Sequence, residues 1–282
     1  MNIQQALEQA CQALSACDES GGESANIDAQ VLLCHVLQCN SAHLMTWPEK
    51  NLDEKQSAQY LHLIAQRKQG LPVAHLTGQR EFWSLDFSVD NSTLIPRPET
   101  ETLVEFILQK FGDRKNLKLL DLGTGTGAIA IAIAHEKPDW KIFASDVSGQ
   151  ALKLARKNSE QLHTRNISLI LSDWFSNINE QHFNIIVSNP PYIAEADPHL
   201  QTGDVRFEPQ RALTAGKTGM DDIEHLCAHA KNHLQKNGWL IVEHGYNQAQ
   251  LVADCFAENA YAQIEQKKDL SGHTRMTAGK SY

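Results

Sequence analysis

The chain has 282 residues, of which 41% are hydrophobic and 21% are charged. This is the composition of a globular protein with a core, so it excludes a disordered chain, a collagen and a low-complexity sequence. The length predicts two domains, or one large domain with an extension. A formal net charge of −9 disfavours tight nonspecific binding to nucleic acid, which needs clustered positive charge.

The cysteines and the apolar segments indicate a cytoplasmic protein. No CxxC pair occurs, which predicts reduced thiols; the six cysteines are Cys11, Cys17, Cys34, Cys39, Cys227 and Cys255. No secretory signal is recognisable, and the longest apolar run, residues 128–134, is far too short for a membrane span. A group of cysteines and histidines lies close together in sequence and consists of Cys34, His35, Cys39 and His43. These residues lack the paired spacing of zinc ligands, so no metal site is predicted.

Residues 1–74 are predicted to form a small helical domain. Apolar residues recur at helical spacing over residues 3–14, and Gly21-Gly22 interrupt this pattern. Further on, Asn51 is followed three residues later by Glu54, which resembles a capping box and predicts the start of another helix. Since few β-branched runs occur here, we expect a helical bundle.

Residues 75–98 are predicted to form a β-hairpin linker. Polarity alternates over residues 81–90 and the segment ends in a turn, as is typical of a strand. Arg97 precedes a proline and therefore favours extended backbone, while Pro98 suits the first position of a helix. The segment is expected to lead into a second domain, residues 99–282.

Strands and helices alternate in this second domain, which predicts an α/β fold: a doubly wound, mostly parallel, seven-stranded Rossmann-like sheet covered by helices. Six candidate strands can be located, at residues 117–122, 141–144, 167–171, 183–187, 239–242 and 262–266. Candidate helices lie at residues 148–163, 221–235 and 246–259. Alanine and isoleucine alternate over residues 128–134, but alanine and a preceding glycine turn favour a helix there.

A glycine loop follows the first of these strands, with Gly123, Gly125 and Gly127 leading into a helix. Glycines at the carboxyl end of a strand let the backbone approach a ligand closely. A phosphate-binding P-loop is excluded, because no Gly-Lys-Ser/Thr follows. Asp146 ends the next strand about twenty residues on, where an acid can bind an adenosine ribose. The loop and Asp146 fit NAD and S-adenosylmethionine equally.

The segment Asn189-Pro190-Pro191-Tyr192 ends the fourth strand and separates these two cofactors. A rigid turn would explain the prolines, but neither the asparagine nor the tyrosine. An NH₂ group on a carbonyl or aromatic ring is a poor nucleophile, because its lone pair is delocalised. The Asn189 oxygen and a backbone carbonyl can accept its two N–H bonds, while Tyr192 can pack on the planar group. The motif therefore predicts methyl transfer to such a nitrogen, with positioning supplying much of the rate.

These motifs resemble those of class I S-adenosylmethionine-dependent methyltransferases that act on exocyclic or amide nitrogen. Within that class, the chain resembles the peptide chain release factor N5-glutamine methyltransferases over essentially its whole length. The closer resemblance rests on four further segments, residues 78–83, 94–101, 205–209 and 269–275. It implies transfer from S-adenosylmethionine, leaving S-adenosylhomocysteine, to the glutamine amide in the Gly-Gly-Gln loop of class 1 release factors.

The resemblance also implies roles for individual residues. Cofactor binding is implied for Gly123, Thr124, Gly125, Thr126, Gly127, Asp146, Asp173, Trp174 and Asn189, with Trp174 contacting the adenine and Asp146 the ribose. Catalysis is implied for Asn189, Pro190 and Tyr192. Binding of the substrate glutamine is implied for Asn189, Pro190, Pro191, Tyr192 and Arg97, with Glu99 bracing the same pocket. The N-terminal bundle would grip the release factor; no metal, membrane or nucleic-acid substrate is expected.

Four other functions compete with this interpretation. A sister group with the same glycine loop and Asn-Pro-Pro-Tyr motif methylates glutamine in a ribosomal protein, and the catalytic residues do not separate the two. A nucleic-acid adenine N6 methyltransferase uses a similar motif, but it would need basic contacts and a base-flipping surface. An NAD oxidoreductase fits the glycine loop and leaves residues 189–192 unexplained. A pure binding module is the least favoured, since cofactor and substrate motifs lie at adjacent strand ends.

Overall fold

A computed structural model of the chain describes residues 1–16 and 23–282, with the backbone alone for Glu23. Cys17 and the predicted break at Gly21-Gly22 lie outside the described residues. By their mutual contacts the described residues form two compact units. The first comprises Met1–Gln79 with His199–Phe207, and the second comprises Arg80–Pro198 with Glu208–Tyr282.

The first unit is helical, which confirms the helical N-terminal region. Its helices are α1 (Ile3–Ser15), α2 (Glu23–Leu37), α3 (Ser41–Thr46), α4 (Glu54–Lys68) and α5 (Val73–Thr77). Its core consists of apolar residues from α1, α2 and α4, among them Ile3, Leu32, Leu33, Tyr60 and Ile64. The buried Tyr60 hydroxyl donates to the carbonyl of Ala29 at 3.1 Å, so this polar group is satisfied inside the core.

The cap of α4 lies two residues after the predicted one. Asp53 is the N-cap: its carboxylate accepts from the Gln56 backbone N–H at 2.7 Å, and the Gln56 side chain accepts from the Asp53 N–H at 3.0 Å. The prediction of Asn51 with Glu54 was therefore wrong. The two candidate boxes overlap in sequence, and Asn51 is instead held in an antiparallel bridge to Asn2.

A distant segment joins the first unit through one arginine. Arg67 on α4 donates to Asp28 at 2.7 Å and to Asp204 at 2.8 Å. These bonds help to explain why residues 199–207, which were expected within the domain of residues 99–282, group with the helices instead. The division into a recognition domain, a linker and a methyltransferase domain, with boundaries at 74 and 98, remains a prediction about roles.

The predicted hairpin is present as two short strands, β1 (Gln79–Phe82) and β2 (Leu85–Ser88). Residues 81–90 were predicted as one strand and are divided by a turn at Trp83 and Ser84, whose φ angles are 54° and 56°. Two successive positive φ values match the twist of paired antiparallel strands. The turn escaped prediction because neither residue is of the Asn-Gly type that usually marks it.

The second unit contains a seven-stranded sheet, so the predicted α/β fold class is confirmed. Its strands are β3 (Lys118–Leu122), β4 (Lys141–Asp146), β5 (Ile167–Leu171), β6 (Phe183–Ser188), β7 (Leu234–Glu243), β8 (Ala262–Lys268) and β9 (Thr274–Lys280). Its helices are α6 (Glu101–Phe111), α7 (Ala128–Glu136), α8 (Gly149–Gln161), α9 (Asp221–His229) and α10 (Ala249–Glu258). The strand order is β5-β4-β3-β6-β7-β9-β8.

One strand and one helix end were not anticipated. β9 pairs antiparallel with both β7 and β8, although its sequence contains Gly279 and reads weakly as a strand. The helix predicted to reach residue 235 ends at His229, because β7 already begins at Leu234. In both places, pairing with neighbouring strands outweighs local propensity.

The sheet is buried on both faces. Alternate strand residues face opposite sides: Leu119 belongs to one core cluster, with the alanines and isoleucines of α7. Leu120 belongs to the other, with residues of α9 and α10 such as Leu226 and Phe256. A parallel sheet covered on both sides explains why these strands are continuously apolar. It also explains why α7 is apolar all round.

The described part of the chain contains no helix long and apolar enough to cross a membrane.

Candidate active site

The site lies where the strand order reverses. β3 is flanked by β4 on one side and β6 on the other, all parallel. The chain proceeds outward from β3 through β4 to β5, then returns to β6, so the connections leave a crevice at the carboxyl ends. Leu122 and Ser188 are register partners at that end, and the Ser188 hydroxyl donates to the Leu122 carbonyl at 2.7 Å. The glycine loop and Asn189 therefore start side by side.

The glycine loop turns back on itself with three positive φ angles, at Gly123, Gly125 and Gly127. A Cβ on Gly123 would lie 3.9 Å from Trp174 and one on Gly125 would lie 3.8 Å from Thr93, so neither would overlap another atom of the protein. A Cβ on Gly127 would lie 2.8 Å from Ile131 and 3.3 Å from Ala155. Gly127 thus allows close packing where α7 begins, while Gly123 and Gly125 present bare backbone to the crevice.

Asp146 ends β4 and braces the loop. Its Oδ2 accepts from the Gly125 backbone N–H at 2.9 Å, and its Oδ1 accepts from the Ser148 N–H at 2.8 Å. Each carboxylate oxygen has two lone pairs, so each can accept another hydrogen bond from a ligand hydroxyl. The acid is held in place by the backbone and keeps capacity for a ribose.

Asp121 is a buried acid behind the loop that the sequence reasoning did not select. Its Oδ2 accepts from the Thr124 hydroxyl at 2.6 Å. Its Oδ1 makes no hydrogen bond of standard geometry with any described residue. Burial raises the pKa of Asp121 to about 7. An acid preceding the first glycine of a strand-end loop was the signal that could have found it.

Trp174 covers the other side of the crevice in a strained conformation, with a φ of 44°. The Ser172 hydroxyl donates to its carbonyl at 2.8 Å, and its side chain lies near the carboxyl of Asp222 and favours the ionised form of that acid. A large residue in the left-handed region is costly unless its surroundings hold it. Asp173 beside it is exposed. The pair offers a flat apolar face next to an acceptor, which suits an adenine ring.

Asn189 is held by Thr100, at the end of the short turn Pro98–Thr100. The Asn189 Nδ2 donates to the Thr100 hydroxyl oxygen at 3.1 Å, so its carbonyl oxygen remains available as an acceptor. Pro190 behind it is buried, and Pro191 lines the crevice. The backbone around the amide is therefore rigid.

Tyr192 points to a buried acid at the end of β7. Its hydroxyl donates to Glu243 Oε1 at 3.3 Å, and its carbonyl accepts from Gln248 at 3.0 Å. Burial raises the pKa of Tyr192, and the neighbouring Glu243 carboxyl adds to this effect. Burial also raises the pKa of Glu243, to about 7. Glu243 was missed, although an acid at the carboxyl end of a parallel strand could have indicated it.

Arg97 is paired with a second missed acid. Its guanidinium donates to Glu208 Oε2 at 2.6 Å, and Glu208 Oε1 accepts from the Ile95 backbone N–H at 2.9 Å. Glu208 belongs to a segment that carries the family resemblance, which was the available signal. Arg97 therefore lines the crevice while its guanidinium is bound to Glu208; its role in binding the substrate glutamine stays a prediction.

Most of the predicted residues are brought together around one cleft. Those that line it are Gly123, Thr124, Gly125, Thr126, Asp146, Asp173, Trp174, Asn189, Pro191 and Arg97. Gly127, Pro190 and Tyr192 are not among its lining residues. Thr93, Thr100 and Asp222 line the cleft as well and were not predicted. Among the described residues there is no group of three or more side chains arranged to hold a metal ion.

The cleft fits S-adenosylmethionine on features of the protein itself. The bare backbone at Gly123 and Gly125 admits a ligand that would clash with a side chain. Asp146 has free lone pairs, Trp174 offers an apolar ring, and Asp121 adds a buried carboxyl beneath the loop. Together these groups complement a ribose, a purine and a positively charged amino acid end.

Comparison with known proteins agrees with this geometry. The family model "Methyltransferase small domain" matches residues 99–213, and "PrmC N-terminal domain" matches residues 5–78. A solved methyltransferase from Pyrococcus furiosus has the same fold, with a TM-score of 0.53 and 18% identity over 81% of this chain and 98% of that one. The fold and the matched model define the class: a methyltransferase with a Rossmann-like sheet.

Closer relatives give the particular family. A release factor glutamine methyltransferase from Shewanella oneidensis is 46% identical over 93% of this chain and 91% of its own. Another from Vibrio cholerae is 45% identical over 99% of this chain and 96% of its own. The chain belongs to the release factor glutamine methyltransferase family, which confirms the predicted family and enzyme class.

Proposed function

We propose that this protein transfers a methyl group from S-adenosylmethionine to the side-chain nitrogen (N5) of the glutamine in the Gly-Gly-Gln motif of class 1 peptide chain release factors. One observation carries the proposal: the glycine loop and the Asn189 amide share one crevice, since they follow the paired residues Leu122 and Ser188. The names of the relatives support the same acceptor.

The two ends of the cleft have different tasks in this proposal. S-adenosylmethionine, when bound, supplies a methyl group on a positively charged sulfur, which is already a strong electrophile. Residues 123–127, Asp146, Asp173 and Trp174 hold that cofactor, with Asp146 at the ribose and Trp174 at the adenine. Because the methyl group needs no Lewis acid for its transfer, the proposal contains no metal ion.

The substrate end compensates for a weak nucleophile. The free oxygen of Asn189 accepts one N–H of the glutamine amide, which fixes the nitrogen and increases its electron density. Pro190 and Pro191 keep this acceptor rigid, Tyr192 packs beside the planar amide, and Arg97 lines the entrance. Holding reactants about 3–3.5 Å apart supplies a large part of the rate. The amide proton leaves after transfer, when the nitrogen is cationic.

The protein partner and the cellular location follow from the proposed methylation of release factors. The substrate is a protein, the class 1 release factor, and the first unit with its helices α1–α5 contributes to its recognition. Translation factors act in the cytoplasm, so the enzyme acts there as well and leaves S-adenosylhomocysteine as its product.

The test supplies methyl-labelled S-adenosylmethionine together with one of four acceptors. These are an unmethylated class 1 release factor, the same factor with its Gly-Gly-Gln glutamine replaced by alanine, a ribosomal protein fraction, and DNA. Label is expected only in the unaltered release factor. Asn189→Ala is expected to lower kcat by about 10²–10³-fold, the usual loss for one preorganised hydrogen-bonding group, and to leave cofactor affinity nearly unchanged.

Label in the ribosomal fraction alone would transfer the assignment to the ribosomal-protein group, and label in DNA alone would contradict a protein acceptor altogether. An Asn189→Ala variant with full activity would show that the amide does not hold the acceptor nitrogen.

A further inference from the structure

A buried chain of polar groups lies behind Asn189. The Asn189 Nδ2 donates to the Thr100 hydroxyl at 3.1 Å. The Thr100 hydroxyl lies close to the Glu243 carboxyl and favours its charged form. Thr100 is 4% exposed and Glu243 is 1% exposed, so solvent does not compete for these contacts. Glu243 Oε2 makes no hydrogen bond of standard geometry with any described residue.

The carboxyl group of Glu243 determines which of these polar groups donates a hydrogen bond and which accepts one. A hydroxyl carries one proton, and a carboxylate can only accept. When Thr100 gives its proton to Glu243, its oxygen can only accept from Asn189, so the amide must present its NH₂ side to Thr100. The Asn189 oxygen then faces away from Thr100, as an acceptor. If Thr100 donated to Asn189 instead, the amide would be reversed and would present NH₂ where an acceptor is needed.

We propose that Glu243, acting through Thr100, is a positioning residue that sets the orientation of the Asn189 side-chain amide. This inference rests on the proposed function, because the orientation matters only if Asn189 accepts from the substrate nitrogen. Glu243 does not line the cleft, so it acts through its neighbours and not on the substrate.

The same carboxyl also holds the other end of the substrate motif. The Tyr192 hydroxyl donates to Glu243 Oε1 at 3.3 Å, so Asn189 and Tyr192 are both connected to one group at the end of β7. Since the residues between them are Pro190 and Pro191, the motif is fixed at both ends and stiff in the middle. A substitution at Glu243 should therefore affect the turnover step more than the binding of either reactant.

The charges around Glu243 determine when it can act. Burial raises its pKa to about 7; Thr100, Arg275 and Tyr192 favour the ionised form, and Glu99 disfavours it. The next residue, His244, is buried with its own pKa lowered by burial. Below its pKa, Glu243 carries a proton and can donate to Thr100, which allows the reversed amide. We therefore expect kcat to fall as the pH is lowered through about 7.

The experiment measures kcat and KM for the release factor and for S-adenosylmethionine in matched variants. Thr100→Val removes the hydroxyl at nearly constant volume, whereas Thr100→Ser keeps it. Thr100→Val is expected to lower kcat by about 10²-fold, the usual effect of a misplaced reacting group, with little change in either KM. Thr100→Ser should restore most of the activity. Glu243→Gln should lower kcat and weaken its dependence on pH near 7, where Asp121 also titrates.

Tyr261→Phe is the control for loss of a buried hydroxyl, because Tyr261 donates to the Cys227 carbonyl at 3.2 Å, away from this chain of bonds. It should leave kcat unchanged even if it lowers stability. Wild-type kcat in Thr100→Val, an equal loss in Thr100→Ser and Thr100→Val, or an unaltered pH profile in Glu243→Gln would each overturn the proposal.

A second measurement does not depend on the substrate. In protein labelled with ¹⁵N-asparagine, the Asn189 side-chain NH₂ signal is assigned by its loss in Asn189→Ala. Its hydrogen exchange should be slow in the wild type and faster in Thr100→Val and Glu243→Gln. Unchanged exchange in both variants would refute the hydrogen-bond chain. Inactivity of the wild type toward release factors would instead refute the proposed function, so the two failures are distinguishable.

Discussion

Single residues in the crevice serve either the ligand or the protein's own packing, even when they are of the same type. Gly123 and Gly125 line the cleft, whereas Gly127 has Ile131 and Ala155 against the position of its absent side chain. The sequence presents all three as one motif. Arg97 shows the same division, since one part of its guanidinium is bound to Glu208 while its side chain lines the cleft.

Gly127→Ala should destabilise the second unit more than Gly272→Ala. Both glycines have a φ of 84°, so both substitutions incur the strain of the left-handed region, about 1–2 kcal/mol. Only at Gly127 does the new methyl group also overlap other atoms; no described atom lies within 4 Å of a Cβ on Gly272. Overpacking adds about 1–3 kcal/mol. Urea unfolding of the two variants measures the difference, and equal losses would contradict a packing role for Gly127.

Helices and strands begin and end where capping groups, packing or strand pairing satisfy the backbone. α4 begins at a capping box in which Asp53 and Gln56 satisfy each other's backbone N–H. α7 begins at the glycine loop without a side-chain cap, and it is stabilised by burial of its alanines and isoleucines. The strand β9, weak by itself, is paired along both edges.

Asp53→Ala is expected to lower the free energy of unfolding of the first unit by about 1 kcal/mol, because it removes a side-chain cap. Asn51→Ala is the matched control, since Asn51 participates in a backbone bridge and its side chain does not cap α4. Helical circular dichroism during urea unfolding measures both. A larger loss of unfolding free energy for Asn51→Ala than for Asp53→Ala would indicate that Asn51 caps α4, as the sequence predicted.

The described residues form two units with separate cores, one of helices and one around the sheet. The cleft is lined by residues of the second unit. Arg67 joins α2, α4 and residues 199–207 within the first unit through Asp28 and Asp204. A ligand that binds only the folded form stabilises what it binds, by about 2.7 kcal/mol at a hundredfold excess over Kd.

S-adenosylmethionine should therefore slow backbone hydrogen exchange in β3, β4 and β6, and Arg67→Ala should accelerate it in α1, α2 and α4. The arginine variant leaves two half-buried carboxylates without their partner, which is destabilising. Its cofactor affinity should equal that of the wild type. Hydrogen exchange followed by mass spectrometry gives both results, and a loss of cofactor affinity in Arg67→Ala would contradict the assignment of the cleft to the second unit alone.

Sequence reasoning succeeded where a local pattern has one physical meaning. The glycine loop, the acid Asp146 and the Asn-Pro-Pro-Tyr turn are contiguous strings with few alternatives. It failed where two solutions compete locally, as at Asn51 and Asp53, or at the unusual turn of Trp83 and Ser84. It did not anticipate Glu208, Glu243 or Thr100, because each acquires its importance from a partner more than fifty residues away in the chain.

By itself, the sequence determined the fold class, the family and the identity of ten of the residues that line the cleft, because alternating polarity and short motifs are local properties of a chain. Only the tertiary structure decided which of the predicted residues line the cleft and which lie behind it. Strand pairing placed Leu122 beside Ser188, and so the loop beside Asn189. Burial then raised the pKa of Glu243. Register and burial arise from contacts between distant segments, which no single stretch of sequence contains.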